Sequence, residues 1–124
     1  MRKGMGFKKV LIANRGEIAL RIMRPLRDMG REAAIIYGNE DRVSLPVQLA
    51  DDATFRDVIN PLDAYLDIEA VVQAAKDMGC DAVHPGYGFL AENAGFVQRL
   101  EEEGITFIGP SADVITLLGD KIEA

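Results

Sequence analysis

Three short segments of this chain combine residue types that could do chemistry. In His84-Pro85-Gly86-Tyr87-Gly88-Phe89-Leu90-Ala91-Glu92-Asn93, glycines flank a tyrosine directly after the strand-like run Asp81-Ala82-Val83. Such glycines let the backbone bend sharply and approach a ligand closely, while the ring supplies a flat apolar wall. The competing reading is an ordinary strand-to-helix turn with Tyr87 capping the core. His84, the only histidine, has the chemistry of a general base or ligand. With no second His or Cys cluster beside it, a hydrogen-bonded structural imidazole is the commoner outcome. In Asn14-Arg15-Gly16-Glu17, a helix N-terminus would offer unpaired N–H groups and a guanidinium to an anion. That segment lacks the G-x-G-x-x-G spacing of a dinucleotide site, and Glu17 would repel phosphate, so capping alone is the stronger reading. In Leu118-Gly119-Asp120-Lys121 a lysine follows a glycine past a helix, where its amine can act as a point charge on phosphate. Taken alone, such a lysine is usually just solvated. Cys80 has no basic neighbour to lower its pKa and reads as small core filler.

Positioning these segments requires strands and helices in alternation. KKVLIA at 8–13 is a short apolar run suited to a buried strand. From Arg15 to Met29 the apolar residues Ile18, Ala19, Ile22, Met23, Leu26 and Met29 form one helical stripe. Asn14 reads as its N-cap, Glu17 as the matching capping-box acid, and Gly30 as the left-handed stop. Pro25 interrupts that helix and predicts a kink or an earlier end. The unit then recurs. Helical patterns ending at Gly30, Gly79 and Gly104 precede the strand-like runs AAIIY, DAVH and ITFIG. The second helix spans about 67–78 with Asp67 as N-cap, and the third about 91–103 with Phe96, Val97 and Leu100 inward. A last helix starts at Ser111 and carries Val114, Ile115 and Leu118. Residues 40–66 read as a short helix around 45–49, a brief strand near 53–55, and a loop through Pro61. The expected fold is α/β: an open, doubly wound, Rossmann-like parallel sheet with helices on both faces.

At 124 residues and 48% hydrophobic content, the chain supports one compact core. Residues 1–7 read as a flexible tail and 8–124 as one domain. Arg2, Lys3, Lys8 and Lys9 are interrupted by Gly4 and Gly6, without the apolar stretch of a signal peptide. A net charge of −6 argues against nucleic acid or an anionic membrane as partner. No apolar run approaches the roughly 18 residues of a membrane span, and the single cysteine excludes an internal disulfide. A cytoplasmic setting is expected.

KKVLIANRGEIALRI at 8–22, EDRVSLPVQLADDA at 40–53, AYLDIEAVVQAA at 64–75, HPGYGFLAEN at 84–93 and FIGPSADVITLLGDK at 107–121 occur in this order. Together they resemble the amino-terminal domain of the biotin carboxylase family. The wording from Asp57 to Phe89 is closer to pyruvate carboxylases than to stand-alone biotin carboxylase subunits. The resemblance implies the platform that precedes an ATP-grasp region, with the chain ending where that region begins. It implies an ATP-dependent ligase that makes carboxyphosphate from bicarbonate and MgATP and then carboxylates biotin on a carrier domain. By position, Lys121 matches a lysine on the nucleotide phosphates, reversing its bland reading. Tyr87 and Gly88 match the loop lining the biotin and bicarbonate pocket, and Glu92 an acid supporting it. Arg21, Arg24 and Asp28 fall where the bacterial family dimer has interface residues, so a homodimer of the full enzyme is implied. A biotin carboxyl carrier domain and a carboxyltransferase domain or subunit are the implied partners.

Two positions depart from the family pattern. Pro46 stands where the family usually has histidine, and Pro25 sits in the first helix. The glycine-rich lid, the magnesium-binding carboxylates and the groups acting on bicarbonate and biotin lie downstream in the family, so this chain alone is expected to be inactive. No catalytic residue and no metal ligand is assigned within it. The competing readings are a non-catalytic α/β module that binds a small ligand or partner, and the platform of another ATP-grasp ligase.

Overall fold

The apolar run after Lys8 extends as strand β1 (Lys9–Ile12), and the periodic stripe behind it winds into helix α1 (Gly16–Asp28). The structure is a computed structural model describing residues 7–57 and 64–109. Strand β2 (Glu32–Tyr37) follows, then a 3-10 turn (Asn39–Asp41), helix α2 (Leu45–Leu49) and strand β3 (Asp52–Phe55). The second half supplies α3 (Ile68–Asp77), β4 (Ala82–His84), α4 (Ala94–Glu102) and β5 (Thr106–Phe107). All pairings are parallel, in the order β3-β2-β1-β4-β5.

Because side chains alternate across a strand, the sheet divides its apolar residues between two faces. Val10, Ile12, Ala33, Ile35 and Ala82 pack with Ala19, Met23 and Leu26 of α1, and Val47 of α2 rests on the same cluster. Leu11, Ala34, Ile36 and Val83 pack with Val71, Val72, Ala74 and Ala75 of α3 and with Phe96 and Leu100 of α4. Helices therefore cover both faces, as the continuous apolar strands require. Phe7 packs against the α1 face. Residues 1–6, the rest of the expected tail, and the helix expected from Ser111 lie outside the described residues.

Three local expectations are corrected. Asn14 is not the N-cap of α1; Arg15 holds that place, with no side-chain cap bond, because the Asn14 amide is drawn instead to a neighbouring loop described below. Pro25 does not end α1, which runs on to Asp28. The bond it forgoes lies on the exposed face, where water can serve the Arg21 carbonyl, while Met23 and Leu26 are buried on the other side. Burying two such side chains contributes about 3–6 kcal/mol, comparable to or above the roughly 3 kcal/mol a helical proline costs. Helix α4 begins at Ala94 rather than Ala91, since Asn93 Oδ1 accepts from the Phe96 N–H at 2.9 Å and so fixes the first turn. Asp67 does cap α3, accepting from the Ala70 N–H at 3.1 Å. Pro46 occupies the first turn of α2, where its missing donor is not needed.

Candidate functional site

From β1 the strands are laid down outward to β3, and then the chain returns to place β4 on the other side of β1. In such sheets the loops after the two central strands diverge and leave a crevice at the carboxyl edge. Here those loops are residues 13–15 after β1 and 85–93 after β4. The GYG segment singled out from sequence therefore sits at the switch point of the sheet.

Asn14 joins the two loops. It is only 2% exposed, and its Nδ2 donates to the carbonyls of Pro85 at 2.8 Å and Tyr87 at 2.7 Å. Its Oδ1 accepts from the Arg15 N–H at 2.8 Å. The loop can approach this closely because Gly86 lies between those carbonyls: a Cβ there would sit 2.7 Å from Asn14 Nδ2 and 2.8 Å from Ile18 Cγ2. Gly86 also has φ +70°, a conformation that side chains other than glycine disfavour. The Gly86 N–H donates to His84 Nδ1 at 3.1 Å, so His84 is a hydrogen-bonded structural imidazole. Its half-burial lowers its pKa and favours the neutral ring.

A second set of contacts holds the far side of the loop. Phe89 has φ 48°, the one non-glycine residue with positive φ among the described residues. Its ring packs against Tyr65 at a centroid distance of 5.3 Å. The buried Tyr65 hydroxyl donates to Asp41 Oδ2 at 2.5 Å. Asp41 in turn receives a two-pronged bond from Arg15, Nε to Oδ2 at 2.8 Å and Nη2 to Oδ1 at 2.6 Å. The Arg15 guanidinium, with help from the Tyr65 hydroxyl and against burial, holds the Asp41 carboxyl below the usual carboxylate range. Burial first, and the bond to Asp41 second, push the Tyr65 hydroxyl pKa upward. The guanidinium that sequence offered to an anion is thus already matched to a carboxylate in bidentate geometry.

The remaining site residues fall into place around this frame. Tyr87 is 78% exposed, Gly88 is exposed with φ +68°, and Glu92 lies exposed in the turn before α4. Arg21 joins Tyr87, His84, Gly86, Ile18 and Ile22 around a recess of about 260 Å³, and pairs with Glu17 at 3.5 Å. Arg24 and Asp28 are exposed on α1. Lys121 lies outside the described residues. Cys80 is buried, and burial pushes its thiol up to about 12, consistent with a core role. Among the described residues, no group of three or more His, Cys, Asp and Glu side chains could hold a metal ion. The arrangement presents an exposed ring face, glycine backbone and a hydrogen-bonded imidazole around an open crevice, features suited to binding and orienting a ligand. Sequence reasoning missed Asp41 and Tyr65, whose partners stand 26 and 24 residues away in the chain.

Residues 6–115 match the family model of the biotin carboxylase N-terminal domain. The chain belongs to that family. Among biotin carboxylase relatives, it is 50% identical to the 2-oxoglutarate carboxylase small subunit of Hydrogenobacter thermophilus over 93% of its own length and 24% of that protein's. It is 48% identical to the pyruvate carboxylase of Bacillus subtilis over 94% of its length and 10% of that enzyme's. The crystal structure of the biotin carboxylase domain dimer of the Hydrogenobacter 2-oxoglutarate carboxylase, in complex with MgADP, ADP and bicarbonate, superposes with a TM-score of 0.87 at 50% identity. It matches 91% of this chain and 25% of that one. The chain thus spans about a quarter of the first of these relatives and a tenth of the pyruvate carboxylase. No helix among the described residues is long and apolar enough to cross a membrane.

Proposed function

We propose that this biotin carboxylase N-terminal domain forms one wall of the active site of an ATP-dependent ligase that carboxylates carrier-bound biotin from bicarbonate and MgATP. The observation that carries the reading is the Tyr87–Gly88 loop at the switch point of the sheet, fixed from beneath by Asn14 and from the side by Tyr65. In this reading Tyr87, Gly88 and Glu92 line the biotin and bicarbonate pocket, and Lys121 contacts the nucleotide phosphates. Arg21, Arg24 and Asp28 contribute to a homodimer interface. A biotin carboxyl carrier domain and a carboxyltransferase complete the assembly in the cytoplasm.

Residues that close over ATP and act on bicarbonate must come from beyond this domain, because a wall that only orients substrate supplies part of the barrier reduction. The test is ATP cleavage by the full-length parent protein with bicarbonate, magnesium and biotin. Cleavage that depends on both bicarbonate and biotin is expected, with none from residues 1–124 alone. Biotin-independent turnover at the same rate, or turnover by the isolated domain, would overturn the reading.

A further inference from the structure

Asn14 uses every hydrogen-bonding group its amide has in ways that fix the loop: both loop-directed bonds come from Nδ2, and the carbonyl oxygen takes the Arg15 N–H. Those partners also determine which end of the amide is nitrogen, since two carbonyls and one N–H surround it. The consequence lies in the next peptide. The Tyr87 carbonyl points down at Asn14, and in a planar trans peptide the following N–H points the opposite way. The Gly88 N–H is therefore turned to the open side of the loop, beside the exposed Tyr87 ring. Among the described residues nothing accepts a hydrogen bond from it. Phe89, at φ 48° in a region that glycine enters freely and a phenylalanine does not, is held there by its surroundings.

We propose that Asn14 is a positioning residue for the biotin pocket: its amide sets the orientation of the Tyr87–Gly88 peptide, and so which polar edge of the loop the substrate meets. The proposal rests on the function given above and deepens it. Asparagine is the side chain that fits. Aspartate has the same shape and would keep the acceptor for Arg15, but would face the two carbonyls with oxygen instead of N–H donors. Serine keeps one donor. Glutamine is a methylene too long for a space in which a single added carbon at Gly86 would already lie 2.7 Å from Nδ2.

The experiment uses the full-length parent enzyme carrying Asn14→Asp, with free biotin as acceptor, alongside hydrogen exchange followed by mass spectrometry. The KM for biotin is expected to rise at least tenfold while the KM for ATP stays within twofold. Exchange across residues 85–93 is expected to quicken at least tenfold, with residues 68–77 unchanged. If the aspartate variant does not fold, Asn14→Ser is read the same way, with a three- to tenfold rise for biotin and the same constancy for ATP. A biotin KM within twofold of wild type, or biotin and ATP constants rising in proportion, would overturn the positioning role. Inactivity of the wild-type enzyme toward biotin would instead sink the functional reading alone. Whether Asn14 holds the loop would then be decided by the exchange measurement.

Discussion

The two rims of the sheet are both rich in charge, yet they use it differently. At the amino rim, Lys9 Nζ meets Asp52 Oδ2 at 2.8 Å, the Asp81 carboxylate accepts from the Lys8 and Lys9 N–H groups, and Asp51 accepts from the Ala33 N–H. These bonds finish strand ends that face water. At the carboxyl rim, Asn14, Asp41 and Tyr65 are buried, and their bonds run to loops rather than to strand ends. Charge at the first rim satisfies the backbone locally. At the second, polar side chains join loops that are distant in sequence and hold one strained residue, Phe89, among them.

The sharpest way to break this contrast is inside the GYG loop. Gly86→Ala is expected to destabilise the protein by about 3 kcal/mol, because a left-handed alanine and a collision with buried Asn14 and Ile18 add together. Gly88→Ala, at nearly the same φ but with nothing within 4 Å of its Cβ, is expected to cost about 1 kcal/mol. Urea midpoints measured on both variants would refute the clamp if the two losses were equal.

Next in size is Asp41. Asp41→Asn removes a carboxylate from Arg15 and Tyr65 and is expected to cost about 2 kcal/mol at neutral pH, a figure reduced because Arg15 is partly solvated. The folded-state pKa of Asp41 is depressed, so its contribution is complete above the unfolded carboxylate value of about 3.9 and is lost as pH falls through the lower folded value. The wild-type protein should therefore lose stability more steeply than the variant below about pH 4. Parallel acid limbs in urea titrations at several pH values would show that Asp41 is not held as described.

The smallest effect belongs to the amino rim. Lys9→Met should change stability by less than about 1 kcal/mol and should make it less sensitive to salt, since Asp52 is substantially exposed. A loss at Lys9 as large as that at Asp41 would erase the distinction between the rims.

How much of this was written in the sequence follows the same division. The strands, the helices and the capping of α3 by Asp67 depend on neighbours within a few residues, so period and local residue type reveal them. The GYG loop was legible too, because glycines around an aromatic after a strand carry their own conformational meaning. Asn14 misled because N-x-x-E before an apolar helix satisfies the capping pattern, while its actual partners lie 71 and 73 residues further on. Separations of 26 and 24 residues likewise hid Asp41 and Tyr65, which sit in the stretch with the weakest periodicity. The earlier helix end that Pro25 allowed does not occur, because the local rule counted the lost hydrogen bond but not the packing of Met23 and Leu26.

The strand order has a consequence for how the molecule is born. β1 pairs with β2 across a short interval, Val10 beside Ala33, but its other edge must wait for Val10 to meet Ala82. Long-range parallel pairings of that kind close slowly. A chain emerging from the ribosome can complete β1, β2 and β3 while the most apolar strand of the sheet still presents an unpaired edge. An open edge invites pairing with other chains, so the interval before β4 arrives is when the unfinished sheet is most open to wrong pairing.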